Sequence, residues 1–143
     1  MRLHLFNGLI ALFGGLFASS TLFIVFYLIG EFKNPFPENL LGKILYLLIF
    51  ISVIEEGVKF LMIKRDIGQY PYGFLLGFGF GIGETFFKYP FWEIEVSLFN
   101  RSGAIVLHII TASIISYFVY KKKPALGLLI AMVLHTGFNL IID

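Results

Sequence analysis

Apolar residues fill five stretches of the chain, Leu3–Gly30, Ile44–Ile63, Tyr72–Tyr89, Gly103–Tyr120 and Ala125–Ile142, with short polar breaks between them. Each stretch is close to the roughly 20 residues with which a helix spans the hydrocarbon of a bilayer. A β-barrel of this size needs strands of alternating polarity, whereas most of these stretches are apolar all round. The pattern therefore predicts an all-α, polytopic transmembrane helix bundle of about five spans, forming a single domain over residues 1–143. The breaks carry turn and charge signals: Asn34-Pro35-Phe36-Pro37-Glu38-Asn39, Lys64-Arg65-Asp66, Pro90–Arg101 and Lys121-Lys122-Lys123-Pro124. Of these, Pro90–Arg101, with Trp92, Glu93 and Glu95, is amphipathic enough to lie along the interface.

The third stretch sets Gly73, Gly77, Gly79, Gly81 and Gly83 among Phe and Ile. Alternation of this kind could indicate a strand, but an isolated strand cannot span a bilayer. As a helix, Gly73, Gly77 and Gly81 form a small-residue ridge that lets a neighbour approach closely. Glu84 falls within about 20° of Gly73 on the helical wheel, at 100° per residue. Its carboxylate is thus expected to face protein rather than lipid.

Composition agrees with a membrane protein. Of 143 residues, 58% are hydrophobic and 14% charged, against roughly 45–50% and 25% in soluble domains. The mean hydropathy is +0.88. A net charge of +2 offers little to a phosphate backbone, so nucleic acid is not an expected partner. With no cysteine, disulfides, thiolate zinc sites and a Cys nucleophile are excluded. The run from Leu3 to Gly30 far exceeds the roughly 7–15 residues of a signal h-region, and reads as an anchor that is retained. With five spans, Arg2, Lys64, Arg65, Lys121, Lys122 and Lys123 fall on one side, and Lys33, Lys43, Lys88 and Arg101 on the other. That bias favours an N-terminus on the inside.

The informative residues are polar groups within apolar stretches: Glu55, Glu56 and Lys59 in the second, Glu84 in the third, His108 in the fourth, and His135 with Asn139 in the fifth. Each charge at mid-membrane costs about 2.5–3.5 kcal/mol on insertion scales, so such groups should face one another or a cavity. Counting 1.5 Å per residue from the Lys/Arg-rich boundary, at Lys64, Tyr72, Tyr120 and Pro124, Glu55 lies about 13 Å deep, Glu84 and His108 about 18 Å, and His135 about 16 Å. Four helices therefore bring carboxylates and imidazoles into one layer. Lys59 is three residues after Glu56 and four after Glu55, within pairing distance of either. His135 and Asn139 project together, and Arg101 is two turns from His108 with Thr111 one turn beyond. Plainer roles exist for some members. Lys59 and one Glu could form a structural ion pair, Asn139 alone is commonly interhelical glue, and His4 reads as a solvated interface residue.

Taken together, these motifs resemble a known set. Glu55-Glu56-Gly57-Val58-Lys59 resembles the EExxK motif of PrsW-type intramembrane proteases, within the CAAX protease and bacteriocin-processing (CPBP) superfamily. Gly77-Phe78-Gly79-Phe80-Gly81-Ile82-Gly83-Glu84 resembles its Gly-rich second motif with FxxxE. Arg101 and His108 resemble its Arg followed by a helical His, and His135 with Asn139 its terminal HxxxN/D. Thr85 stands where PrsW proteins often carry Asn, and Glu84 where CAAX-protease relatives usually carry His. The resemblance runs from Glu55 to Asn139. It implies a hydrolase in a prokaryotic plasma membrane, with a membrane-embedded protein or lipidated peptide as substrate, and it leaves room for a homo-oligomer.

Peptide hydrolysis needs an activated water and donors for the oxyanion. No Ser or Thr is evidently paired to a base, so covalent catalysis is disfavoured. A carboxylate withdrawn from water is a competent general base near neutral pH. Glu55 or Glu56 is expected to activate water, with Lys59 restraining the other. His135 and Asn139 are expected to donate to the oxyanion, and Glu84 and His108 to orient the water and shuttle a proton. The rival is a zinc centre on Glu84, His108 and His135, since two His and a Glu form a familiar catalytic set. Without the H-E-x-x-H motif, the metal-free glutamate mechanism is preferred. Outside proteolysis, buried Glu and His also serve proton- or ion-coupled carriers, although no internal repeat of the transporter kind is present. An inactive scaffold or immunity protein is the third reading.

Overall fold

A computed structural model of the chain describes residues 2–28, 39–88 and 98–142. These are almost wholly helical, and no strand occurs among them. The helices are α1 (Arg2–Leu28), α2 (Leu40–Tyr46), α3 (Val53–Lys64), α4 (Gly73–Lys88), α5 (Leu98–Tyr120) and α6 (Pro124–Ile142). Between α2 and α3 the helix does not stop but widens into a π-helical segment, Leu47–Ser52, where Val53 N–H bonds the carbonyl of Leu48. The amphipathic segment expected at Trp92, Glu93 and Glu95 lies outside the described residues.

Among the described residues, three segments are long and apolar enough to cross a membrane: His4–Leu28, Ser102–Tyr120 and Pro124–Ile142. The protein is accordingly an all-α integral membrane protein. Helix α4 is shorter, its 16 residues rising about 24 Å against a hydrocarbon thickness of about 30 Å. The second expected span is helical from 40 to 64, but the π segment divides it and Glu55, Glu56 and Lys59 interrupt its apolar run.

Packing runs from α1 to α4, α4 to α5 and α5 to α6, while α3 reaches all four of these helices. The alternating glycines of α4 explain the first two contacts. Gly73, Gly77 and Gly81 face α5, and a Cβ at Gly77 would stand 2.2 Å from the carbonyl oxygen of His108. Gly79 and Gly83 face α1, where a Cβ at Gly79 would stand 2.0 Å from the carbonyl oxygen of Leu12. The helix is thus glycine-lined on two faces, so that both neighbours approach its backbone.

The molecule is apolar outside as well as within. Phe6, Phe13, Phe17 and Leu28 on α1 and Ile141 on α6 are exposed, as lipid-facing residues should be. Inside, Ala11, Ile63, Leu76, Ile115 and Ala131 form a buried apolar layer. One helical turn from it lies a buried polar layer: Lys59 is four residues from Ile63, Thr111 four from Ile115, and His135 four from Ala131. This second layer holds the chemistry.

Candidate active site

On α3 the buried residues are Glu55, Glu56, Lys59 and Ile63, a single stripe at helical spacing. Lys59 is completely buried, and its ammonium offers three N–H donors. All three are used. Lys59 Nζ donates to Glu56 Oε1 at 2.6 Å, to His108 Nδ1 at 2.6 Å and to Thr111 Oγ1 at 3.1 Å. It also lies 4.7 Å from the centroid of Phe80, the α4 residue one turn before Glu84. Cation, counter-ion and acceptors are therefore matched within a space closed to water.

Helix α6 completes the layer. His135 donates from Nδ1 to the same Glu56 oxygen at 2.6 Å. Glu56 thus accepts from a lysine and a histidine at once, which fixes the ring orientation and tautomer of His135. On the other side, His108 Nε2 is hydrogen-bonded to Glu84 Oε2. Glu84, His108, Lys59, Glu56 and His135 form one chain of hydrogen bonds drawn from α4, α5, α3 and α6. The two imidazoles meet edge to face, with centroids 5.3 Å apart.

Glu55 stands apart from this chain. Its Oε2 is buried and has no hydrogen-bond partner. It lies 3.6 Å from His135 Nε2 and 3.9 Å from His108 Nε2, beyond direct bonding but within the span of one bridging water. Glu55 and Glu84 also line a cavity of about 60 Å³ with Ser19, Leu22, Phe23, Phe26, Ile51 and Phe80. A single water needs roughly 10–15 Å³, so the cavity has room for water beside the unpartnered oxygen.

Among the described residues, Glu55, His108 and His135 hold ligand atoms within 4.8 Å of one another, a spacing compatible with a metal ion. This group has Glu55 in place of the Glu84 expected from depth, although Glu84 is bonded to the same His108 nitrogen, Nε2, that faces Glu55. Hydrogen bonding argues against the metal. Lys59 donates to His108 Nδ1, so a neutral imidazole carries its proton on Nε2, where Glu84 accepts it. No lone pair then remains on His108 for a metal. The residues present do not suit a zinc ion while Lys59 holds that position.

The fold therefore brings Glu55, Glu56, Glu84, His108, His135 and Lys59 into contact. Asn139 is buried one turn beyond His135, without a hydrogen bond to the cluster. Arg101 falls in the first turns of α5, and its side chain lies outside the described residues. Several members were not legible beforehand. The contact of Phe80 with the Lys59 ammonium is not implied by its place four residues before Glu84 in the Gly-rich motif, and Ser52, which accepts from Thr136 Oγ1 at 2.9 Å, sits in a segment without a motif. Ser19, on the cavity wall, was signalled only by its polarity within an apolar helix. Comparison with protein-family models, curated proteins and solved structures finds no match for the chain.

Proposed function

We propose that the protein is an intramembrane endopeptidase, hydrolysing a peptide bond of a membrane-embedded protein or lipidated peptide with water activated by Glu55. The observation that carries this reading is the unpartnered, buried Glu55 Oε2, poised between two imidazole nitrogens at the edge of a cavity with room for water. Glu56 Oε2 is likewise buried without a partner, but that carboxylate is held through Oε1 by Lys59 and His135, whereas Glu55 is held by neither and lines the cavity. As a general base it has a task. Glu55 takes a proton from water as the water oxygen bonds the carbonyl carbon, and Asn139, one turn beyond His135 on α6, donates to the developing oxyanion. Collapse of the tetrahedral intermediate breaks the C–N bond, and Glu55 returns the proton to the leaving amine. Glu56 and Lys59 hold His135 and His108 in place, and Glu84 holds the second nitrogen of His108. The likeness of the four motifs to those of PrsW-type proteases supports the same reading.

A proton-coupled carrier draws on the continuous chain from Glu84 to His135. Such a relay needs a polar route to both membrane faces. The apolar layer of Ile63, Leu76, Ile115 and Ala131 closes one side of the chain, which counts against the carrier. The discriminating experiment exposes purified protein to membrane-anchored peptides in vesicles while recording internal pH. Cleavage by the native protein, lost in Glu55→Gln, supports the protease. Proton flux without cleavage supports the carrier.

A further inference from the structure

A second cavity lies at the opposite pole of the core from Glu55, between the end of α5 and the turn that precedes α4. It measures about 120 Å³ and is lined by Gln69, Tyr70, Ser116, Val119 and Tyr120. Ser116 is 1% exposed, and its Oγ has no hydrogen-bond partner. Around the cavity Tyr70 stacks on Tyr120 with centroids 5.2 Å apart and meets Tyr117 edge-on at 6.2 Å. Lys121 Nζ lies 5.5 Å from the Tyr117 centroid and 5.4 Å from that of Tyr120. The aromatic faces therefore already hold a cation. What the site lacks is an anion.

Location identifies the anion's source. Helices α5 and α6 each have a segment long and apolar enough to cross a bilayer, so the turn that joins them, Lys121-Lys122-Lys123, lies at a membrane surface. Lys64 and Arg65 at the end of α3 add to the positive charge there, and Asp66 is the acidic exception, bonded by Gln69. Tyrosines at this level are typical of the interface. Away from the cavity, Tyr117, Ile110 and Val106 form an exposed stripe on one face of α5, 44%, 45% and 52% accessible. The stripe extends over about 16 Å at 1.5 Å per residue, a track for an acyl chain.

We propose that this cavity binds the headgroup of an anionic, hydroxyl-bearing phospholipid such as a phosphatidylglycerol. The phosphate pairs with Lys121, the headgroup hydroxyls meet Ser116 Oγ and the Gln69 carbonyl, and one acyl chain follows Tyr117, Ile110 and Val106. Basic residues at a bilayer surface attract anionic lipid by an amount that makes one lysine worth about fivefold in affinity.

The test titrates detergent-purified full chain with dioctanoyl phosphatidylglycerol, dioctanoyl phosphatidylcholine or glycerol phosphate and follows the melting temperature. Phosphatidylglycerol is expected to stabilise the native protein at a concentration at least about tenfold lower than phosphatidylcholine. Lys121→Ala should raise the half-saturating concentration about fivefold. Ser116→Ala, which removes only an unpartnered hydroxyl, should melt normally without lipid yet bind phosphatidylglycerol more weakly. Equal stabilisation by the two lipids would overturn the proposal, as would unaltered binding in both variants. Stabilisation by glycerol phosphate at concentrations similar to those of phosphatidylglycerol would assign the cavity to a soluble phosphate and also overturn it.

Discussion

Adjacent carboxylates on α3 should respond in opposite ways to the same substitution. Glu56 accepts from Lys59 and from His135, each at 2.6 Å, inside a site closed to water. Glu56→Gln keeps the shape but removes the counter-ion of a completely buried ammonium. Breaking a buried pair in this way costs about 3–5 kcal/mol. For a chain of this size each kcal/mol lowers the midpoint by roughly 2–4 °C, so a fall on the order of 10 °C is expected. Glu55 Oε2 has no partner to lose, and Glu55→Gln adds an N–H that can reach a neighbouring imidazole. Its melting temperature should stay within a few degrees of the native value. Turnover should separate the pair again: without its general base, Glu55→Gln loses about 10²–10⁴-fold in rate while remaining folded. Thermal unfolding in detergent, followed by circular dichroism, reads stability without any knowledge of the substrate. If Glu55→Gln melted as low as Glu56→Gln, the division between a structural and a reactive carboxylate would be wrong.

Four further outcomes follow from the same geometry. Gly77→Ala and Gly79→Ala should each destabilise the bundle by about 1–3 kcal/mol in chemical unfolding, because the new Cβ meets the backbone of α5 or α1. Gly57→Ala, which meets nothing within 4 Å, should instead be neutral or stabilising by up to about 1 kcal/mol through helix propensity. A strong chelator should leave peptide cleavage unchanged, since the one free lone pair of neutral His108, on Nδ1, accepts from Lys59; activity lost on chelation and restored by zinc would reverse that conclusion. Asn139→Ala should slow cleavage by about 10²–10³-fold with the melting temperature little altered, as expected for an oxyanion donor that bonds nothing at rest.

Much of this architecture was legible in the sequence because the penalty for buried charge in lipid is large. Polar residues scattered over four apolar stretches had to converge, and the depth argument located Glu55, Glu84, His108 and His135 in one layer. What spacing could not reveal was the partner of each group. Lys59 is within reach of both Glu55 and Glu56, and only the rotation of α3 against α5 and α6 decides for Glu56. Helix α3 begins directly after the π segment, and no motif in Leu47–Ser52 announces that segment. Likewise the i, i+4 rule found the ridge of Gly73, Gly77 and Gly81, but Gly79 and Gly83 made sense only once α1 was seen against the opposite face of α4. The second apolar stretch was expected as one span carrying Glu55, Glu56 and Lys59, and only the fold revealed the π segment that divides it.

Hydrolysis by water at Glu55 is tested most directly with isotopically labelled solvent. Native protein and Glu55→Gln, reconstituted in vesicles with membrane-anchored peptides, are incubated in H₂¹⁸O with a chelator present, and the products are weighed by mass spectrometry. The native protein should release fragments whose new C-terminus carries one ¹⁸O, and Glu55→Gln should release almost none. Cleavage that persists undiminished in Glu55→Gln, or a native protein that cuts no peptide, would contradict the account.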